Sequence, residues 1–205
     1  MIKFIKHLFL LFLLSNSCLI KAQDSLTPHS KPSIHIGYDL GEMAFNKFQN
    51  LAGEIGLKFK KDQMLRFVYL NVKLTEEHLS SGFAKAVEGD NVSGQWNGYE
   101  LLYDLPIYRF KRANSFIYGG VSVGYHKNVY RHTILNTMVA HKSSTLGFDI
   151  GYRESNVFKI KGLYYNFQIP FRYNFKALEE TQLGDTTINR STFNQTISFF
   201  VGYEF

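Results

Sequence analysis

The chain has 205 residues, 23 of them basic and 17 acidic, with a single cysteine and a formal charge of +6. That length suits one domain, a lone thiol excludes an internal disulfide framework, and bases interspersed with acids lay no continuous stripe for a nucleic-acid backbone. With 16 glycines, 13 tyrosines and 19 phenylalanines and no helical period beyond the N-terminal segment, the pattern is that of an all-β protein.

The N-terminal segment is tripartite. Lys3 and Lys6 make a basic start, residues 8–14 are unbroken Leu and Phe, and residues 15–22 are mostly small or polar, which is the layout of a secretory signal peptide. Residues 1–22 are expected to be removed by cleavage after Ala22, although Ile20 is bulkier than the usual residue three places before a cleavage site. The apolar core is much shorter than the about 20 residues of a membrane-spanning helix. Cleavage removes Cys18 together with Lys3, Lys6 and Lys21, leaving 20 basic against 17 acidic residues and no thiol. Disulfides, thiol catalysis and cysteine-ligated metal are thereby excluded from the mature chain. A lipoprotein signal that would make Cys18 the lipidated first residue is disfavoured by Ser15 and Asn16, which stand where such signals prefer leucine and a small residue.

Eight strands are predicted from alternation, over residues 33–45, 50–61, 64–75, 95–110, 115–130, 143–154, 157–174 and 193–205. On the second strand Leu51, Gly53, Ile55, Leu57 and Phe59 alternate with Ala52, Glu54, Gly56 and Lys58. The third strand has apolar residues at both parities, so its turn must orient it. A two-residue turn at Asp62 and Gln63 pairs Gly56 with Tyr69 and Glu54 with Asn71, directs Val68, Leu70, Val72 and Leu74 outward, and leaves Arg66 to snorkel at an interface. On the fourth strand Tyr99, Leu101, Tyr103, Leu105 and Ile107 alternate with Glu100, Leu102, Asp104 and Pro106. If the turn at 111–114 gives up one residue to a strand, Asp104 meets Gly120 and Glu100 meets Gly124, and the same bookkeeping sets Asp149 opposite Gly162. The seventh strand alternates Leu163, Tyr165, Phe167, Ile169, Phe171 and Tyr173 with Gly162, Tyr164, Asn166, Gln168, Pro170 and Arg172.

The connections fall at 46–49, 62–63, 76–94, 111–114, 131–142, 155–156 and 175–192, short turns alternating with longer loops after the first. The last strand places Phe193, Ile197, Phe199, Val201, Tyr203 and Phe205 on one face and Asn194, Thr196, Ser198 and Glu204 on the other, with Phe200 the exception. A greasy outer face with a polar inner one suits a barrel wall in lipid, whereas a soluble barrel would be polar outside. Residues 193–205 resemble the C-terminal assembly signal of outer-membrane β-barrels, and in size and topology the chain resembles the OmpA and OmpX type of small barrel. The resemblance implies an eight-stranded antiparallel up-and-down transmembrane β-barrel over residues 33–205, preceded by a periplasmic linker over 23–32. Its location would be the cell outer membrane, and its tyrosines would form interfacial girdles.

Inward-facing charges are expected to be Asp39, Glu54, Glu100, Asp104, Asp149 and Glu204 against Lys58, Lys60, Lys73, Arg153 and Arg172, with His35 and His126 among them. Nearly balanced signs argue for a salt-bridged plug, since an ion-selective pore favours one sign. Asp39 with Lys58 and Glu54 with Lys73 are the expected diagonal pairs. No cofactor, metal or catalytic site is expected, because the seven histidines hold no zinc-enzyme spacing. His141 and Ser143 resemble the His-x-Ser element of lipid A deacylases over three residues. Ser144 departs from that family's next residue, and Glu154 is expected at the opposite membrane face, about 36 Å along the strand. Ile134, Leu135, Met138 and Val139 make an apolar loop patch that could dock a partner or pack over the barrel mouth. The expected function is structural, adhesive or accessory, with surface loops presented and no catalysis. Its expected partners are outer-membrane lipids and lipopolysaccharide, the assembly machinery at the C-terminal strand and a protein at the loops, with no nucleic acid. Alternatives are a barrel for an apolar ligand, for which Pro170 is the hint of a wall opening, and a lipid A-modifying enzyme.

Overall fold

The computed structural model describes residues 32–41, 50–74, 87–88, 91–110, 114–176, 179–188 and 192–205. The expected signal peptide with Cys18, and the expected linker apart from Pro32, lie outside them. Eight strands build the wall: β1 (Ser33–Asp39), β2 (Leu51–Lys58), β3 (Met64–Leu74), β4 (Val92–Arg109), β5 (Ser115–His132), β6 (Met138–Ser155), β7 (Leu163–Asn174) and β8, which runs in two pieces, Phe193–Gln195 and Ser198–Glu204. Each strand is antiparallel to the next, and β8 pairs back onto β1, with His35 opposite Glu204 and Asp39 opposite Phe200. The sheet therefore closes on itself, as the alternation predicted. Closure satisfies the wall's backbone groups internally, which a strand in hydrocarbon requires. At the seam the Phe205 amide donates to the Ile34 carbonyl at 2.8 Å.

The faces sort as a membrane barrel requires. Ile55, Leu57, Tyr99, Leu101, Val123, Leu146, Phe148 and Ile150 are exposed on the outside, while Glu54, Glu100, Asp104, Asp149, Asn166 and Gln168 are buried inside. A continuous apolar belt of this kind is stable against hydrocarbon and not against water, so the wall is transmembrane. Phe200, out of place on a polar inner face, packs inside against Leu70, Val72, Trp96 and Leu102.

Strand β3 corrects the sequence reading. The β2–β3 connection spans five residues, 59–63, because Lys61 and Asp62 both adopt left-handed backbone (φ 67° and 56°) and the Phe59 amide closes on the Gln63 carbonyl at 2.8 Å. Lys58 accordingly pairs with Met64, Gly56 with Arg66 and Glu54 with Val68. This is a shift of three positions from the expected register, and an odd shift exchanges the two faces of a strand. Arg66, Val68, Leu70 and Val72 are buried in the lumen, Phe67 and Tyr69 face outward, and Lys73 is exposed. Lys60, also expected inside, is exposed on the turn.

Two other registers move by even numbers and keep their faces. Ser33, not Asp39, lies beside Lys58. Asp149 lies opposite Pro170 on one side and Gly120 on the other, while Gly162 sits in the β6–β7 turn at φ +83°, a conformation that favours glycine. That turn, residues 156–162, contains a 3-10 segment at Val157–Lys159, so β7 begins at Leu163 and not at 157. The pairings of Asp104 with Gly120 and Glu100 with Gly124 are as predicted.

The β5–β6 connection shrinks from the expected twelve residues to 133–137, because Arg131 pairs with Met138 and the ladder continues to the tip. Strands β4, β5 and β6 each have 18 residues, about 60 Å of strand, roughly twice what an apolar belt occupies. Their ends rise above the belt on the side away from the termini. Within the long β7–β8 connection, Thr181–Leu183 and Thr186–Ile188 form a hairpin that also pairs with Val87–Glu88 from the β3–β4 connection.

Candidate functional site

The lumen contains three successive tiers of buried charge. At its centre is Arg66, fully buried. Its Nε donates to Asp104 Oδ2 at 2.5 Å, Nη1 to Glu54 Oε2 at 2.9 Å and to Gln168 Oε1 at 2.6 Å, and Nη2 to Asp149 Oδ2 at 3.0 Å. The partners stand on β2, β4, β6 and β7, so one guanidinium ties together four other strands across the lumen. Only arginine has a planar fork of five donors suited to several acceptors at once. The guanidinium also lies 5.3 Å from the Tyr118 ring centroid, and Tyr118 donates to Asn166 Oδ1 at 2.7 Å.

Toward the termini, Glu204 accepts from Lys58, from Ser33 Oγ at 3.0 Å and from Arg153 Nη2 at 3.1 Å. The Arg153 guanidinium lies 3.6 Å over the Tyr164 ring, whose hydroxyl donates to Glu54 Oε1 at 2.9 Å. Toward the other end, Arg172 donates to both oxygens of Glu100, at 2.5 and 2.7 Å, and to Thr196 Oγ1 at 2.7 Å. His126 Nε2 lies 3.3 Å from Glu100 Oε1, and its Nδ1 accepts from Trp96 at 3.0 Å. Glycines make the crossings possible. A Cβ on Gly120 would collide with Asp104 Oδ1 and Asp149 Oδ1, and one on Gly124 would lie 2.9 Å from Glu100 Cγ.

All six predicted inward carboxylates are on the inner face, with Lys58, Arg153, Arg172, His35 and His126. The expected diagonal pairs do not form. Lys58 bonds Glu204, Asp39 Oδ1 accepts the amides of Gly41 at 2.9 Å and Phe199 at 3.1 Å, and Glu54 bonds Arg66. Arg66 was missed on sequence because its face was inverted. The signal that finds it is the set of inward carboxylates Glu54, Glu100 and Asp104 on the two neighbouring strands, which call for a cation on the inner face of β3.

Among solved structures similar to this chain are the crystal structure of Ail, the attachment invasion locus protein of Yersinia pestis, and that of the N-terminal β-barrel domain of Pseudomonas aeruginosa OprF. Ail is 13% identical, with 85% of this chain and 97% of that chain covered at a TM-score of 0.43. The OprF domain is 11% identical, with 87% and 100% covered at a TM-score of 0.45. No family model and no curated protein matches the chain. The closed hydrogen-bond ladder, not this likeness, establishes the architecture.

The His-x-Ser element does not reach the lipid. Ser143 is buried, faces inward opposite His126 and donates to Asn174 Oδ1 at 3.3 Å. Glu154 is at the far end of β6, where it accepts from Tyr152 at 2.9 Å and Tyr165 at 2.8 Å.

The outer rim is the second candidate surface. Leu183 and Ile188 of the hairpin pack with Val92, Tyr130 and Val139 at the raised ends of β4–β6. Val139 thus packs at the mouth, whereas Ile134, Leu135 and Met138 remain exposed. His132 Nδ1 accepts the amides of Ile134 at 3.3 Å and Leu135 at 3.2 Å, which puts the neutral ring's proton on Nε2, facing Asp185 Oδ1 at 3.3 Å. That hydrogen bond holds the exposed Asp185 carboxyl below its usual range.

Proposed function

We propose that the protein is a cell outer-membrane barrel, exported with its signal peptide removed, whose role is structural, adhesive or accessory and is exerted by its raised rim rather than through its lumen. The observation that carries this reading is Arg66, which crosses the lumen to bond partners on four strands and so closes the route a solute would take. A closed lumen leaves the outer surface to act, and the rim is built for exposure: the β5–β6 tip carries Ile134, Leu135 and Met138 in the open. No catalysis is part of this reading, because Ser143 is turned away from the acyl chains that a lipid hydrolase must reach.

The test is an epitope inserted beside Asn136 at the tip, probed with antibody on intact cells, alongside lipid A mass spectrometry of cells with and without the protein. Staining of intact cells and identical acylation are the expected results. Staining only after permeabilisation would sink the surface assignment, and an acyl chain that is lost with the wild type and kept with Ser143→Ala would establish the enzyme alternative.

The apolar-ligand alternative has one observation in its favour. The two pieces of β8 are separated at Thr196 and Ile197, where Thr196 lies beside Pro170 and donates to its carbonyl at 3.2 Å. Pro170 has no N–H to return to Thr196, so the ladder loses a bond there.

A further inference from the structure

Above the apolar belt on β3–β6 lie two outward rows in strict register. The first is aromatic: Tyr69 pairs with Tyr99, Tyr99 with Tyr125 and Tyr125 with Ser144, and the Tyr99 and Tyr125 rings stack 6.1 Å apart. Tyrosines at this level mark the boundary between hydrocarbon and headgroups. Two residues further out, Asn71 pairs with Asn97, Asn97 with Lys127 and Lys127 with Lys142. The two lysines are therefore directly opposite cross-strand neighbours, and both are exposed.

Like charges directly opposite on a sheet repel, with Cβ atoms about 5 Å apart. Neither lysine has a salt bridge among the described residues, and their partners along the row are neutral amides. Nor does the next row supply an acid: outward from the lysines come Lys73, Gln95, Val129 and Ala140. A repulsive pair that has no ion-pair partner among the described residues, one step above the tyrosine girdle, is placed where lipid phosphates lie. Two ammonium groups on flexible stems can close on one phosphate, with the Asn97 amide as a neutral donor beside them.

We propose that the Asn97–Lys127–Lys142 row docks the phosphate-bearing headgroup of an outer-leaflet lipid, whose acyl chains lie along Tyr99, Tyr125 and Val123 below. The proposal rests on the outer-membrane reading and adds to it a specific lipid site. Belt residues alone would hold any lipid of the right length; the lysine pair selects for phosphate.

The full protein, purified in mild detergent, should be placed in nanodiscs containing a bis-phosphorylated, multiply acylated glucosamine disaccharide or the same lipid stripped of phosphate, and lipid retention read by native mass spectrometry. Wild type should retain the phosphorylated lipid. The Lys127→Gln/Lys142→Gln variant should retain it ~30-fold less well, as removal of two surface charges beside anionic lipid predicts. Lys159→Gln/Lys161→Gln, at the opposite end of the barrel, should behave as wild type. A heat-modifiable gel shift verifies folding, and if the double variant lacks it the two single variants replace it. Equal retention of the stripped lipid, unchanged retention by the lysine variants, or displacement of the lipid by millimolar inorganic phosphate would each overturn the proposal. The outer-membrane reading fails separately, by cell fractionation.

Discussion

Arg66 makes four side-chain hydrogen bonds at 0% exposure, and three of its acceptors are buried carboxylates, of which Glu54 also lies 3.9 Å from Arg153. Breaking a buried charge network on one side costs far more than the network contributes against an apolar replacement, because the abandoned charges stay buried. Arg66→Met should therefore lose ~3–5 kcal/mol of unfolding free energy, read by urea titration of the detergent-solubilised barrel. Arg66→Lys should fall between, since an ammonium keeps the charge without the fork. Had Arg66 snorkelled at an interface, as the two-residue turn implied, lysine would replace it with little effect, so the pair of variants also discriminates the two registers. The sequence carried the inward carboxylates clearly because each alternates with apolar neighbours. It concealed Arg66 because β3 is apolar on both faces, with Val68, Leu70 and Val72 filling the lumen against Trp96 and Phe200, and only a left-handed turn at Lys61 and Asp62 decides which face is which. Such backbone suits glycine, asparagine and aspartate and is uncommon for lysine, so Asp62 fits the turn while Lys61 conceals it.

Strands were legible to within their pairing, and turns were not. The eight segments, their order and the outward face of β8 followed from alternation alone, whereas the ends of β5 and β6 were cut short. Residues 138–142, expected as loop, pair with 127–131; their outward residues Met138, Ala140 and Lys142, beside Arg131, Val129 and Lys127, mix apolar and charged types and so do not show the unbroken apolar face that marks a strand in lipid. The same reasoning explains why the β7–β8 hairpin, stabilised by contact with Val92 and Tyr130, left no periodic trace. At the closing seam sequence and structure agree. Phe205 bonds Ile34 through its amide and packs edge-on to Tyr203 with centroids 5.0 Å apart, while the residue as a whole is 74% exposed. Deleting Phe205 removes one ladder bond and the terminal aromatic together. Most of the protein should then accumulate unassembled and protease-sensitive in the periplasm, as measured by fractionation and trypsin challenge. Normal surface levels with an unaltered heat-modifiable gel shift would show that closure needs neither.

For the whole molecule, wall and plug depend on one another. An eight-stranded barrel encloses a lumen that side chains can fill, and here the filling is ionic in three tiers, anchored by Glu204, Arg66 and Glu100, with an apolar layer around Phe200 beside them. Each tier joins strands that are not neighbours in the wall: Lys58 on β2 and Arg153 on β6 meet at Glu204 on β8, and Arg172 on β7 reaches Glu100 on β4. Cross-lumen ties of this kind resist flattening of the barrel and block a continuous water column at the same time, so rigidity and occlusion come from the same groups. The purified protein in planar bilayers should accordingly show little or no conductance beside a porin at equal protein load, and Lys127→Gln/Lys142→Gln, which changes only the outer surface, should not alter that. Large, stable open channels in the wild type would mean that the Arg66 tier does not span the lumen under those conditions, and that the protein acts through its pore rather than its rim.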